Sequence, residues 1–132
     1  MTAAYLDASA LVKLMRPEPE TDALIEAVAR WPVRIASDIV VVELGCTAHR
    51  LGGADLVDRA RAIIDGLHLI PFSAAIRQRA AATAFDPPLR ALDAIHLATA
   101  LELGEDLDTF VAYDDHLCRA AKAERLVVHS PR

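Results

Sequence analysis

Short apolar runs alternate with longer stretches of helical periodicity along the chain. Ala3–Leu6 reads as a buried strand, and Asp7 follows it into a short helix ending at Met15. The phrase Arg16-Pro17-Glu18-Pro19-Glu20 breaks that pattern and prepares a new helix start. Ala23, Leu24, Ala27 and Val28 give the next helix its apolar face, and Trp31-Pro32 ends it. Residues 33–36 form a second strand. Ser37 or Asp38 is placed to cap a helix reaching about Arg50 and closing at Gly52-Gly53. Ala54–Asp65 is helical with Leu56, Ala60, Ile63 and Ile64 inward, and Gly66 stops it. Residues 67–72 read as a third strand, and Ser73 caps a helix to about Ala84. After Asp86-Pro87-Pro88 comes the most apolar helix, residues 90–103. A fourth strand at 109–112, a helix at 114–123 and a short strand at 126–129 complete the chain. Strands alternating with helices predict an α/β layered domain with a mostly parallel sheet. With no repeat or linker, residues 1–132 read as one domain. In such sheets, sites gather at the carboxyl ends of the strands.

Acids occupy those places. Asp7 directly follows the first strand, and Asp114-Asp115 follow the fourth after Tyr113. In a parallel sheet they share one edge. Taken singly, each is better explained as a helix cap, and two strands delivering acids to one edge weakens that account. Asp93 is the only charged residue between Ala91 and Leu101. A helix apolar on nearly all sides is buried, and a buried carboxylate needs a partner, a metal or the free amides of a first helical turn. Glu43 is a lone acid between Ile39-Val40-Val41-Val42 and Leu44-Gly45-Cys46, open either to a site role or to pairing with Arg50 or Arg90. Clustered carboxylates suit hard ions such as Mg²⁺ or Mn²⁺, whereas Cys and His ligands at zinc spacing are absent. His96, one turn beyond Asp93, reads as a core or supporting histidine.

Composition then narrows the partners. Of 132 residues 54% are hydrophobic, which excludes disorder and is enough for one core. Nineteen acids against 14 bases give a net charge of -5, which argues against a bare basic nucleic-acid module. Aromatics at 5% argue against a base-stacking platform. Cys46 and Cys118 have no CxxC spacing and read as small buried hydrophobes, so a reducing, cytoplasmic compartment is expected. The N-terminus, from Met1 to Asp7, has no cationic stretch before an apolar core, and no segment approaches the roughly 20 apolar residues that span a bilayer.

Four segments together resemble the motifs of PIN-domain ribonucleases, and most of all the VapC toxins of bacterial toxin–antitoxin pairs. These are residues 5–14 (YLDASALVKL), 37–44 (SDIVVVEL), 89–100 (LRALDAIHLATA) and 110–117 (FVAYDDHL), in family order over nearly the whole chain. The resemblance implies a three-layer α/β/α domain around a mostly parallel sheet of about five strands. It implies one or two Mg²⁺ or Mn²⁺ ions, with Asp7, Glu43, Asp93 and Asp114 as the site acids. Asp7, Asp93 and Asp114 are assigned to the metal, Glu43 to orienting water, and Ser9 to support. The implied activity is endonucleolytic cleavage of RNA by metal-activated water. The implied partners are a cognate VapB-type antitoxin and a second copy in a homodimer. An apolar face on the helices between Glu20 and Asp65 would serve one of these. One position departs from the pattern: where many relatives carry Thr or Ser two residues before the fourth acid, this chain has Ala112. Asp114 matches the motif spacing, with Asp115 in a secondary, supporting place.

RNA binding near an acidic pocket requires cations. Lys13 and Arg16 follow the first motif, and Arg90 precedes Asp93, so these three are the candidates. Other readings fit less well. A haloacid-dehalogenase-like phosphohydrolase needs a second Asp two residues after the first, where Ser9 stands, and a receiver domain places its acid pair after the first strand. A PIN-like module kept only for partner contact predicts broken acid positions, and all four are present.

Overall fold

The computed structural model describes residues 2–132; Met1, part of the N-terminal reading above, lies outside the described residues. The elements run β1 (Ala3–Leu6), α1 (Ala8–Met15), α2 (Thr21–Val28), β2 (Val33–Ser37), α3 (Val40–Leu51), α4 (Ala54–Asp65) and β3 (His68–Ile70). They continue with α5 (Ala74–Ala82), α6 (Ala91–Leu103), a 3₁₀ turn, β4 (Thr109–Val111), α7 (Asp115–Ala123) and β5 (Val128–His129). The five strands form one wholly parallel sheet in the order β3-β2-β1-β4-β5.

β1 is central and buried along its whole length, so its side chains divide between two cores. Ala4 and Leu6 face one core with α1, α2, α3 and α4; Ala3 and Tyr5 face the other with α6, α7 and Phe110. This is the period-two alternation of a strand covered on both sides. Helices therefore lie on both faces, as the three-layer expectation requires. Truncating a wholly buried leucine such as Leu6 or Leu11 costs about 2–5 kcal/mol. The strand order reverses direction beside β1, between β2 and β4, which puts a crevice above the carboxyl ends of β1 and β4.

Several boundaries differ from the sequence expectation. β3 stops at Ile70 because Pro71 has no amide hydrogen to extend the ladder, and Phe72 beyond it is exposed. Neither Ser37 nor Asp38 is the N-cap of α3. Ile39 holds that place, the Ser37 hydroxyl accepts from the Ile39 amide at 3.3 Å, and the Asp38 amide donates to the Ile70 carbonyl. Cys118 is buried as expected, but Cys46 is exposed on the outer side of α3. α6 is buried only from Ala94 onward; its first turn emerges, leaving Leu92 half exposed. Gly104, at φ +56°, closes α6 in the left-handed region that a side chain disfavours. Among the described residues, no helix is long and apolar enough to cross a membrane.

Candidate active site

Asp7 leaves β1 and becomes the N-cap of α1. Its Oδ1 accepts from the Ala10 amide at 3.0 Å and from the Ser9 hydroxyl at 2.7 Å, while its own amide donates to the Val111 carbonyl of β4. Only 2% of Asp7 is exposed. Burial pushes its pKa up to about 6, with Asp93 adding a smaller rise and the Ser9 hydroxyl opposing it. Asp114 repeats this design one strand away: it is the N-cap of α7, and its Oδ1 accepts from the Leu117 amide at 2.9 Å. Because Leu6 pairs with Val111 in parallel register, the two caps stand at the same sheet edge. The capping reading holds and leaves room for a site role, since each cap engages one carboxylate oxygen and, among the described residues, leaves Oδ2 without a donor.

Asp93 sits in the exposed first turn of α6, half-buried and without a side-chain hydrogen bond among the described residues. Its pKa is raised first by partial burial, then by Asp114 and Glu43. Asp93 and Asp114 line a cleft of about 270 Å³ together with Pro88, Leu89, Arg90 and His116. Asp7 and Glu43 do not line this cleft, but Asp93 shares its field with both. Glu43 pairs with neither Arg50 nor Arg90. Its Oε1 meets His96 Nε2 at 2.7 Å, and the other imidazole nitrogen, Nδ1, lies 2.6 Å from the Tyr5 hydroxyl. His96 is thus the buried supporting residue expected.

Ser9 does more than touch Asp7. Its oxygen also accepts from the Tyr113 amide at 3.0 Å, tying the turn after β1 to the turn after β4. That tie lies one residue beyond Ala112, the position lacking the usual hydroxyl. The Ala112 side chain is wholly buried, and its carbonyl accepts from Ser130 and Cys118. Asp115 is exposed in the first turn of α7 and does not line the cleft, a place suited to complementing the helix dipole.

The three candidate cations separate. Arg90 lines the acidic cleft. Lys13 is held by Glu20 at 3.0 Å and Glu18 at 3.4 Å, with its ammonium 4.7 Å from the centre of the Tyr113 ring, so its charge is spent inside the fold. Arg16 lines a different hollow with Glu18, Thr47 and Arg50. Two residues escaped the sequence reading. His116, in the cleft, could have been found from its place two residues after Asp114 at a helix start. Tyr5 could have been found because a phenol on a buried strand needs a hydrogen-bond partner for its hydroxyl.

Among the described residues, no three of the acids, histidines and cysteines already stand as a closed metal-binding group. The donor chemistry nevertheless fits a hard divalent ion. The groups that converge are carboxylates, the pKa values of Asp7 and Asp93 are raised by burial and by neighbouring acids, and an ion of opposite charge relieves both causes.

A PIN-domain family model matches residues 4–123. The chain is 40% identical to Ribonuclease VapC35 of Mycobacterium tuberculosis over 134 aligned residues, covering 96% of each protein. Among solved structures it is similar to the Mycobacterium tuberculosis VapC20 toxin, described as cleaving the sarcin–ricin loop. The TM-score there is 0.75 at 18% identity, over 94% of this chain and 96% of that one, a likeness of fold. It is also similar to a chain of a toxin–antitoxin complex from Klebsiella pneumoniae, with a TM-score of 0.67 at 25% identity over 84% of this chain and 86% of that one.

Proposed function

We propose that this chain, which belongs to the PIN-domain family, is a metal-dependent endoribonuclease and the toxin of a toxin–antitoxin pair. One observation carries the reading: Asp93 lines a cleft beside Arg90 and shares its field with Asp114, Glu43 and Asp7. Asp7, Asp93 and Asp114 would hold Mg²⁺ or Mn²⁺, one or two ions per site. When bound, such an ion offsets the acids' charge, polarises a phosphoryl oxygen and makes water a stronger nucleophile at neutral pH. The chain's own groups do the rest. Arg90 and His116 receive the phosphate beside the acids. Ser9 keeps Asp7 aligned and favours its ionised form. Glu43, with Oε1 engaged by His96, orients the attacking water through Oε2 and takes its proton. A bond forms from the water oxygen to phosphorus, and the phosphorus–oxygen ester bond breaks, its electron pair leaving with the ribose oxygen, which takes a proton from solvent water. Asp115 supports the turn that carries Asp114.

The proposed partners are an RNA substrate, a VapB-type antitoxin and a second copy of the chain, in the cytoplasm, with one PIN domain filling residues 1–132. Similarity to a chain of a toxin–antitoxin complex supports the antitoxin. Exposed Ile25, Val41 and Val42 on α2 and α3 supply apolar surface for it or for the second copy. The test is incubation of the purified protein, freed of any partner, with structured RNAs and Mg²⁺ or Mn²⁺. Cleavage is expected to disappear with EDTA and in Asp93→Asn, by about 10³-fold or more for the variant. Cleavage untouched by both would overturn the acid–metal reading. Absence of cleavage together with absence of metal binding would favour an inert partner-binding module.

A further inference from the structure

We propose that Tyr5 and His96 are positioning residues for Glu43. A one-way hydrogen-bond chain from Ser37 through Tyr5 fixes His96 as the neutral Nε2–H tautomer and aims that hydrogen at Glu43 Oε1. The inference rests on the role given to Glu43 above, and it assigns this role to two residues that do not line the cleft.

The direction follows from counting protons. The Ser37 amide can only donate, and it donates to the Tyr5 hydroxyl oxygen at 3.1 Å. Tyr5 is wholly buried, and a phenol, whose ordinary pKa is about 10, keeps its single proton at neutral pH. The acceptor waiting for that proton is His96 Nδ1, at 2.6 Å. The Thr99 hydroxyl donates to the Ile95 carbonyl at 2.6 Å, and among the described residues the hydrogen-bonding partners of the Tyr5 hydroxyl are the Ser37 amide and His96 Nδ1. A nitrogen that accepts from Tyr5 carries no hydrogen of its own, so the imidazole hydrogen resides on Nε2, which faces Glu43 Oε1 at 2.7 Å. Every member then has its partner: a fixed amide donor at one end, a carboxylate acceptor at the other, and no proton in conflict between them.

The chain is also held rigidly. The Tyr5 ring stacks on Phe110 with centroids 5.4 Å apart and planes 4° from parallel, and it meets His96 edge-on at 5.8 Å. His96 is 1% exposed. Glu43, by contrast, has a long flexible side chain that reaches the site from the first turn of α3. A buried ring with a fixed tautomer converts that flexible acid into an oriented one, leaving Oε2 for the reacting water or ion. Three neighbouring elements thus act together: β1 supplies the phenol, α6 the imidazole and α3 the carboxylate.

Two measurements test this. The first is long-range ¹H–¹⁵N NMR of the full-length, metal-free protein at pH 7.5, which reports imidazole tautomers directly. His96 is expected as the Nε2–H form with Nδ1 shifted by an accepted hydrogen bond, and Tyr5→Phe is expected to move the Nδ1 resonance toward its unbonded value. An Nδ1–H tautomer, an imidazolium, or a Tyr5→Phe spectrum with Nδ1 unchanged would each overturn the proposal. This readout needs no activity, so it stands apart from any failure of the nuclease reading. The second is kinetics. His96→Leu is expected to lower kcat for RNA cleavage about 10–100-fold with KM changed less than about twofold, and His96→Gln, which retains an N–H donor, to recover most of the loss. Full activity in a folded His96→Leu protein, or a glutamine no better than leucine, would overturn the positioning role. If the leucine variant does not fold, the NMR comparison of wild type with Tyr5→Phe decides.

Discussion

Asp7 and Asp93 carry the same carboxylate and are treated in opposite ways. Asp7 is buried between two strands and held at Oδ1 by two donors, and its acidity is weakened mainly by the loss of water. Asp93 stands half-open in the exposed first turn of α6, with no donor among the described residues and with other acids close by. One acid is positioned by hydrogen bonds within the fold; the other is left without a partner at the rim of the cleft. In the function proposed above, the site combines a fixed anchor with an unheld one, and the two should respond differently to the same substitution.

The largest difference is expected in stability. The pKa of Asp7 rises from an ordinary value near 3.8 to about 6, so the folded state holds the proton more tightly than the unfolded chain. The sign follows: the carboxylate's ionisation removes folding stability as pH climbs from about 4 through about 6, and the whole penalty is present above that. Two pKa units correspond to about 3 kcal/mol, so Asp7→Asn is expected to raise the Tm of the metal-free protein at pH 8 by several degrees and by almost nothing at pH 4. Asp93→Asn, at an acid that is only half-buried, is expected to raise Tm in the same direction but by less, although both variants are expected to lose cleavage. Thermal melts at the two pH values, with and without Mg²⁺, check this. Equal gains for both variants would erase the distinction between fixed and unheld acid.

Ser9→Ala sharpens the fixed side. It removes the hydroxyl that opposes protonation of Asp7 and leaves the Tyr113 amide without its acceptor, so cleavage is expected to fall about 10-fold and stability by about 1–2 kcal/mol. Activity measured at pH 6 and pH 8 should show the larger deficit at pH 6. Arg90→Ala probes the open side. It is expected to raise KM for RNA about 3–10-fold with kcat little changed and to flatten the salt dependence of binding. The smallest effect belongs to Lys13→Ala. Cleavage is expected to stay within about twofold and stability to fall by about 1 kcal/mol, because its contacts are internal to the fold. A loss of RNA affinity as large as that of Arg90→Ala would return Lys13 to the binding surface.

The same contrast explains what was legible in the sequence. All five strands and seven helices appear in the pattern because a central strand covered on both faces is a continuous apolar run, and because proline and glycine mark the breaks between elements. Asp7 and Asp114 could be placed at one edge because strand ends and parallel pairing are local inferences. What escaped depends on distant neighbours. Nothing near Glu43 announces that its partner is His96 rather than an arginine, since the contact requires α3 and α6 to meet beside β1. Lys13 looked like a free cation because Glu18 lies beyond one proline and Glu20 beyond two, and both return to it only after the chain turns. Cys46 looked like a core residue because an apolar helix sequence does not say which of its sides faces water.

Asp7 and Asp114 each use one oxygen to start a helix and, in the function proposed above, keep the other for chemistry. Asparagine caps a helix about as well as aspartate and cannot supply the second, charged oxygen. In the genetic code, a single G-to-A transition turns either aspartate codon into an asparagine codon. At both positions the chain is therefore one nucleotide away from a folded form with the chemistry silenced, open to selection whenever activity becomes harmful to its host.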